Sequence, residues 1–190
     1  MNQNTKTAQN IAGAGGNREE NDFYATPASA TQALLDRESF FGKTWEPACG
    51  AGDMSDVLIK NGMETYSSDL IARGYGDGGV DFLTCANVAA DNIITNPPFK
   101  HATAFIEHAK EVATKKVAML LKTVFLESEG RYEMFQDTDF ALKTVYQFSK
   151  RITLRRSGVK QDSSGMLAYA WFVWERGFEG KPTIEWIQRA

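Results

Sequence analysis

Cysteine and histidine are nearly missing from this chain. Cys49 and Cys85 are the only cysteines in 190 residues. Two thiols give no disulfide framework, so a reduced, cytoplasmic setting is expected. The two histidines, His101 and His108, lie seven residues apart on one predicted helix. No Cys or carboxylate stands at ligand spacing from them, so they read as surface residues and no metal site is expected. Uninterrupted apolar runs of membrane-spanning length are also missing. So is an apolar N-terminal segment of the signal-peptide kind, and no membrane partner is expected. A large excess of one charge is absent too: the net charge is −3, which argues against a nucleic-acid binder. Residues 143–160 are the exception. They hold Lys143, Lys150, Arg151, Arg155, Arg156 and Lys160 and no acid, so the remainder is more acidic than the whole.

What is present suffices for one domain. Hydrophobic residues make up 43% of the chain, enough for a real core. Residues 1–21 are polar and rich in Gly, Asn and Gln, with almost nothing to bury, and are expected to be disordered. The domain is expected over 22–190, with a basic loop inserted near 149–165. Thr26 and Pro27 read as N-cap and first residue of a helix ending near Glu38. Strands are predicted at Thr44–Glu46, Met63–Asp69, Asn92–Thr95, Val117–Leu121, Leu142–Leu154 (with a break at Ser149-Lys150), Met166–Trp174 and Thr183–Ile187. Helices are predicted over Met54–Asn61 and Ala102–Ala113, with partial helix over Phe125–Phe135. No internal repeat is present. The order is alternating α/β with a β-rich end.

Asn96-Pro97-Pro98-Phe99 is the most informative stretch. Both prolines lack an N–H and force the preceding residue out of helical geometry, so the chain leaves its strand in a stiff turn. The polar groups there are mostly acceptors: the Asn96 amide oxygen and the carbonyls of Asn96 and Pro97. Phe99 adds a flat ring. This suits a planar ring carrying an amino group, whose two hydrogens the acceptors would grip. Asn is neutral and can orient and polarise, but cannot act as a general base. Without other support the same residues read as a proline-punctuated loop with Phe99 as a core plug.

Other stretches supply that support. Glu46-Pro47-Ala48-Cys49-Gly50-Ala51-Gly52 joins a strand to a helix through a glycine turn. There Gly50 and Gly52 would let a ligand approach the backbone and free helix N–H groups. Alone, Gly-x-Gly specifies only a tight turn. Asp69, at the end of the second strand and 23 residues after Glu46, occupies the place of an acid that binds ribose hydroxyls. Asp81-Phe82 reads either as an acid–aromatic pair for an adenine or as an ordinary strand end.

Together these pieces resemble the class I S-adenosylmethionine-dependent methyltransferases, and within them the small adenine-N6 DNA methyltransferases often carried by phages. Asn96-Pro97-Pro98-Phe99 is similar to their catalytic (Asn/Asp)-Pro-Pro-(Tyr/Phe/Trp) motif. Glu46 to Gly52 is similar to the cofactor loop, Asp69 to the ribose acid, and Asp81-Phe82 to the adenine pair. Tyr24-Ala25-Thr26-Pro27 resembles the segment closing over the cofactor's methionine end. Phe148–Ile152 and Ala168–Trp174 also look like that group. The resemblance spans about residues 22–176, in the gamma-type motif order. It implies a Rossmann-like α/β fold: a mostly parallel central sheet with an antiparallel C-terminal strand and helices on both faces. It implies S-adenosyl-L-methionine as cofactor and DNA as partner, single-stranded or a duplex read with weak sequence specificity. Fewer than half of the residues follow Asn96, and the fold is expected to consume most of them, so no separate target-recognition domain is expected among them.

The expected reaction is methyl transfer to the N6 amine of an adenine extruded from its stack. Phe99 would stack on the base, while the Asn96 side-chain oxygen and the Pro97 carbonyl accept the amine hydrogens. Lys100, Lys150, Arg151, Arg155, Arg156 and Lys160 are candidate phosphate contacts; the alternative is solvated charge protecting an edge strand. Rival readings are an RNA guanine-amine methyltransferase, a protein glutamine methyltransferase, and an idle cofactor-binding module.

Overall fold

The computed structural model describes residues 23–85, 87–156 and 167–188. The expected tail at 1–21 and most of the expected basic loop, Lys160 included, lie outside the described residues. The described elements are β1 (Tyr24–Ala25), α1 (Ala28–Leu35), β2 (Thr44–Glu46), α2 (Asp53–Lys60), β3 (Thr65–Asp69), β4 (Asp77–Gly78) and β5 (Ala90–Thr95). They continue with α3 (Ala102–Val112), β6 (Ala113–Lys122), α4 (Tyr132–Phe135), β7 (Phe140–Phe148), β8 (Arg155–Arg156), β9 (Tyr169–Arg176) and β10 (Thr183–Ile187). Eight strands form one sheet in the order β10-β7-β9-β6-β5-β2-β3-β4. Its pairs are parallel except those of β9, which runs antiparallel to both β6 and β7. The reversed strand is therefore the penultimate one, and the last strand, β10, restores the parallel direction.

Alternation along the strands explains why helices cover both faces. Ile93, Val117, Met119, Leu121, Phe172 and Trp174 join one core, where α3 contributes Phe105, Ile106 and Ala109. Their neighbours Ile94, Ala118, Leu120, Trp171 and Val173 join the other, with Ala30, Ala33 and Leu34 of α1 and Met54 and Leu58 of α2. Two consecutive apolar positions on a strand thus serve opposite cores, so these strands read as continuous hydrophobic runs.

The chain steps from β2 to β3 on one side and later returns to place β5 on the other side of β2. Such a reversal leaves a crevice beyond the carboxyl ends of the strands. Glu46, Asp69 and Thr95 end β2, β3 and β5, so the residues after them meet there.

Two expectations change. Pro27, with φ −57° and ψ 134°, occupies the N-cap of α1, and no side chain caps the helix. Thr26 precedes it, is buried, and uses its hydroxyl elsewhere. The helix ends at Leu35, which frees Glu38 to fold inward. Glu38 is 6% exposed. Lys116 pairs with it, the Lys143 ammonium lies 3.2 Å away, and the Tyr146 hydroxyl donates to it at 3.0 Å. Glu175 also takes Lys143, at 2.8 Å. Lys143, counted in the basic segment, is thus committed to the interior. β7 carries β10 on one side and β9 on the other, so β7 itself is not an edge strand.

Removing one member of such a network strands charge in a poorly hydrated site. Glu38→Ala is expected to cost about 3 kcal/mol or more, measured by urea denaturation. A loss within the roughly 0.5 kcal/mol of a surface change would contradict this account.

Candidate functional site

A cavity of about 270 Å³ occupies the crevice. From β2 and the turn after it come Glu46, Pro47, Ala48 and Cys49; from the start of α2, Asp53 and Met54. Asp69 and Leu70 come from the end of β3, Asp81 and Phe82 from the turn before β5, and Asn96 and Pro98 from the turn after β5. Tyr24, Ala25 and Thr26 close one side. Most of the residues singled out in the sequence are thus brought together, although they lie up to 74 positions apart.

Gly50, Gly52, Pro27, Pro97 and Phe99 do not line this cavity. Gly50 and Gly52 hold φ of +57° and +90°, but what approaches them is protein. A Cβ on Gly50 would come within 2.2 Å of the Phe23 ring, and one on Gly52 within 2.3 Å of the Tyr75 ring. The glycines are needed so that two aromatic rings can roof the turn, a role invisible in the spacing alone. Pro97 is buried beneath it. Phe99 packs against Tyr24 and Tyr169, with ring centroids at 6.3 and 5.7 Å, and Lys122 sits 4.7 Å from its centroid. It faces a second groove of about 250 Å³, which Lys100 and Lys122 also line. The Asn96–Phe99 turn is therefore a ridge between two hollows.

Asp69 organises the glycine turn. Its Oδ2 accepts the Gly50 N–H at 2.9 Å and its Oδ1 the Ile71 N–H at 2.8 Å. Each carboxylate oxygen accepts more than one bond, so both retain capacity toward the cavity. Asp81 accepts the Leu83 N–H at 3.1 Å and caps a short turn. Phe82 is buried edge-on to Trp45, centroids 5.0 Å apart. The open reading of Asp81-Phe82 resolves into a capped helical turn that faces the cavity.

Asn96 is held by its nitrogen. Nδ2 donates to the Tyr24 carbonyl at 3.3 Å and to Thr26 Oγ1 at 3.1 Å. A carbonyl only accepts, which fixes the orientation of the amide. Asn96 Oδ1 is then left buried with no partner among the described residues. A buried acceptor without a donor carries a penalty of about 1–3 kcal/mol, which a ligand N–H would remove.

The polar lining is lopsided. Glu46, Asp53, Asp69 and Asp81 face Arg73 and His101. The helix N-terminus at Asp53 presents a carboxylate, where a dinucleotide's pyrophosphate would be repelled. A cationic ligand with hydroxyls and an aromatic base fits this set better. Burial pushes the Glu46 carboxyl up to about 8, against the lowering effect of its bond from Ser55. Burial pushes the Cys49 thiol up to about 12, helped by the charges of Glu46 and Asp69, so Cys49 is not a nucleophile at neutral pH. Among the described residues no cluster of three His, Cys, Asp or Glu is placed to hold a metal ion, and no helix is long and apolar enough to cross a membrane. His108, expected at the surface, is half-buried; its Nε2 lies 3.1 Å from the Cys85 carbonyl and its ring meets Phe82 edge-on.

Comparison with solved structures then decides the fold. The chain aligns with a candidate RNA methyltransferase from Pyrococcus horikoshii at TM-score 0.63 and 15% identity, over 94% of this chain and 100% of that one. It aligns with a candidate class I S-adenosylmethionine-dependent methyltransferase from Listeria monocytogenes at TM-score 0.60 and 14% identity, over 86% of this chain and 65% of that one. A modification subunit of a candidate type I restriction enzyme from Vibrio vulnificus gives 0.60 and 15%, over 96% of this chain and 49% of that one. The fold is the Rossmann-like class I methyltransferase fold. This chain spans about two thirds of the Listeria protein and half of the Vibrio one. No protein-family model and no curated protein matches the sequence.

Sequence reasoning missed Phe23 and Arg73. The Arg73 guanidinium lies 4.4 Å from the Phe23 centroid, and the only signal was position: each sits a few residues from one singled out. Of the candidate phosphate contacts, Lys100, Lys150 and Arg151 are exposed. The backbone of Arg155 and Arg156 pairs antiparallel with Tyr24 and Ala25, tying the basic segment to the cavity wall.

Glu46 sets a pH dependence. Its folded pKa lies above its unfolded value, so the unfolded chain releases the proton first and stability falls as pH rises from about 4.5 to about 8, then levels. Glu46→Gln should lack this component. Urea unfolding at pH 5 and pH 8 is expected to show a larger drop for the wild type than for the variant; equal drops would contradict the assignment.

Proposed function

We propose that this chain is an S-adenosylmethionine-dependent methyltransferase acting on the N6 amine of adenine in DNA. The observation that carries the reading is the unpartnered Asn96 Oδ1, buried at the rim of an acid-lined cavity beyond the carboxyl ends of the strands. An exocyclic amine is the donor that such an acceptor lacks.

Asp69 would hold the ribose hydroxyls of the cofactor, Asp81 and Phe82 its adenine, and Glu46, Tyr24 and Thr26 its methionine end, with Pro47 and Ala48 forming the floor. S-adenosylmethionine, when bound, supplies an electrophilic methyl whose carbon–sulfur bond breaks as the carbon–nitrogen bond forms. Asn96 Oδ1 takes one hydrogen of the target amine. The Pro97 carbonyl takes the other; the next carbonyl, that of Pro98, already accepts the His101 N–H at 2.8 Å. Gripping both hydrogens localises the nitrogen lone pair. Thr26 and Tyr24 keep the amide from rotating, so the acceptor needs no reorganisation during the reaction. No side chain acts as an acid, and the surplus proton passes to water. The acids of the cavity favour a sulfonium cation, and Glu46 ionises more readily beside one.

Transfer of radiolabelled methyl from S-adenosylmethionine to DNA, RNA and protein tests the reading. Label is expected on adenine in DNA. Label confined to RNA or protein, or none at all, would overturn it. Asn96→Ala, assayed at saturating S-adenosylmethionine, is expected to lose about 100-fold or more in turnover, the scale of removing one preorganised partner of a reacting group.

A further inference from the structure

The groove on the far side of Phe99 is used by nothing described so far. Phe99, Lys100, Lys122, Val124, Phe125 and Arg131 line it. No carboxylate does, in a chain whose net charge is −3. Six cations elsewhere in the protein, Lys43, Lys110, Lys115, Lys116, Lys143 and Arg176, stand in ion pairs. Lys100, Lys122 and Arg131 have no acidic partner among the described residues. Lys122 lies over the Phe99 ring instead.

Arg131 is fixed in place. Its Nε donates to the Phe125 carbonyl at 2.9 Å, its Nη2 to the Glu127 carbonyl at 3.0 Å, and its guanidinium lies 4.3 Å from the Phe125 centroid. The loop after β6 folds around this guanidinium and holds it rigid, with Nη1 remaining for a ligand. Val124, 58% exposed, adds apolar surface at the rim. Three uncompensated cations, one of them preorganised, beside an aromatic ring and an exposed aliphatic side chain match a strand of phosphates and bases.

We propose that this groove binds the phosphodiester backbone of the strand carrying the target base, with Lys100, Lys122 and Arg131 on its phosphates. The proposal rests on the nucleobase-amine reading of Asn96. It gives the chain a nucleic-acid surface within the methyltransferase fold, made by the turn after β5 and the loop after β6.

The test is fluorescence anisotropy with a labelled single-stranded DNA oligonucleotide, titrated between 50 and 200 mM salt. Lys100→Ala/Lys122→Ala is expected to weaken binding at least tenfold at the lower salt. Its slope of log affinity against log salt should be shallower by about 1.4, two contacts at about 0.7 each. Lys122→Arg should keep the wild-type slope. Lys43→Ala/Lys60→Ala removes two charges at the opposite ends of β2 and α2 and should leave affinity within about twofold. If the wild type binds DNA and the groove variant binds equally well, or if the distant variant loses as much, the groove assignment is wrong while the methyl-transfer reading stands. If the wild type neither binds nor labels any nucleic acid, both fail.

Discussion

One amide holds the site together. Asn96 gives both N–H donors to the segment before α1, and that choice has two consequences at once. It pulls Tyr24 and Thr26 over the crevice, where they become a wall of the cavity. It also turns the remaining oxygen into a buried acceptor with nothing to accept. A folded chain tolerates such a group where function uses it, because an unsatisfied acceptor is a standing penalty that a correct ligand removes. The neighbouring prolines stiffen the turn and contribute no N–H that could satisfy it from within.

The sheet explains why one ridge can serve two hollows. Reversal of strand order between β2 and β5 opens the crevice on one side of the Asn96–Phe99 turn, and β6 with its following loop builds the groove on the other. Charge separates the two. The charged groups of the first are mostly carboxylates, which suit a cation; those of the second are lysine and arginine, which suit a polyanion. That division suits the transfer proposed above, from a cationic donor to a polyanionic acceptor, in a chain whose net charge is −3.

Much of this was legible in the sequence. The strands Thr44–Glu46 and Thr183–Ile187 have the bounds expected of them, with Pro47 directly after the first and Pro182 directly before the second. The apolar run predicted as a strand over Met166–Trp174 gives the strand Tyr169–Arg176, which starts later and runs two residues further and is buried on both faces as far as Trp174. Glu46 and Asp69 were marked by ending predicted strands, Asn96 by following one, and Asp81 only by its aromatic neighbour Phe82. What was hidden depends on pairing between distant segments. The ribbon of Tyr24–Ala25 with Arg155–Arg156 has no local signal across 130 residues. Thr26 has the chemistry of a helix cap, and only the position of Asn96 reveals a stronger use. The rings of Phe23 and Tyr75 over Gly50 and Gly52 replace the ligand that a glycine turn suggests. Lys122 and Arg131 meet only because the loop after β6 curls back, so no run of basic residues announces them.

The most direct measurement is a crystal structure of the protein with S-adenosylhomocysteine and an adenine-containing oligonucleotide. The account requires the homocysteine product in the cavity beside Glu46 and Asp69, and an extruded adenine whose N6 lies about 3 Å from Asn96 Oδ1. An adenine bound beyond hydrogen-bond reach of that oxygen, or a product bound outside the cavity, would contradict it.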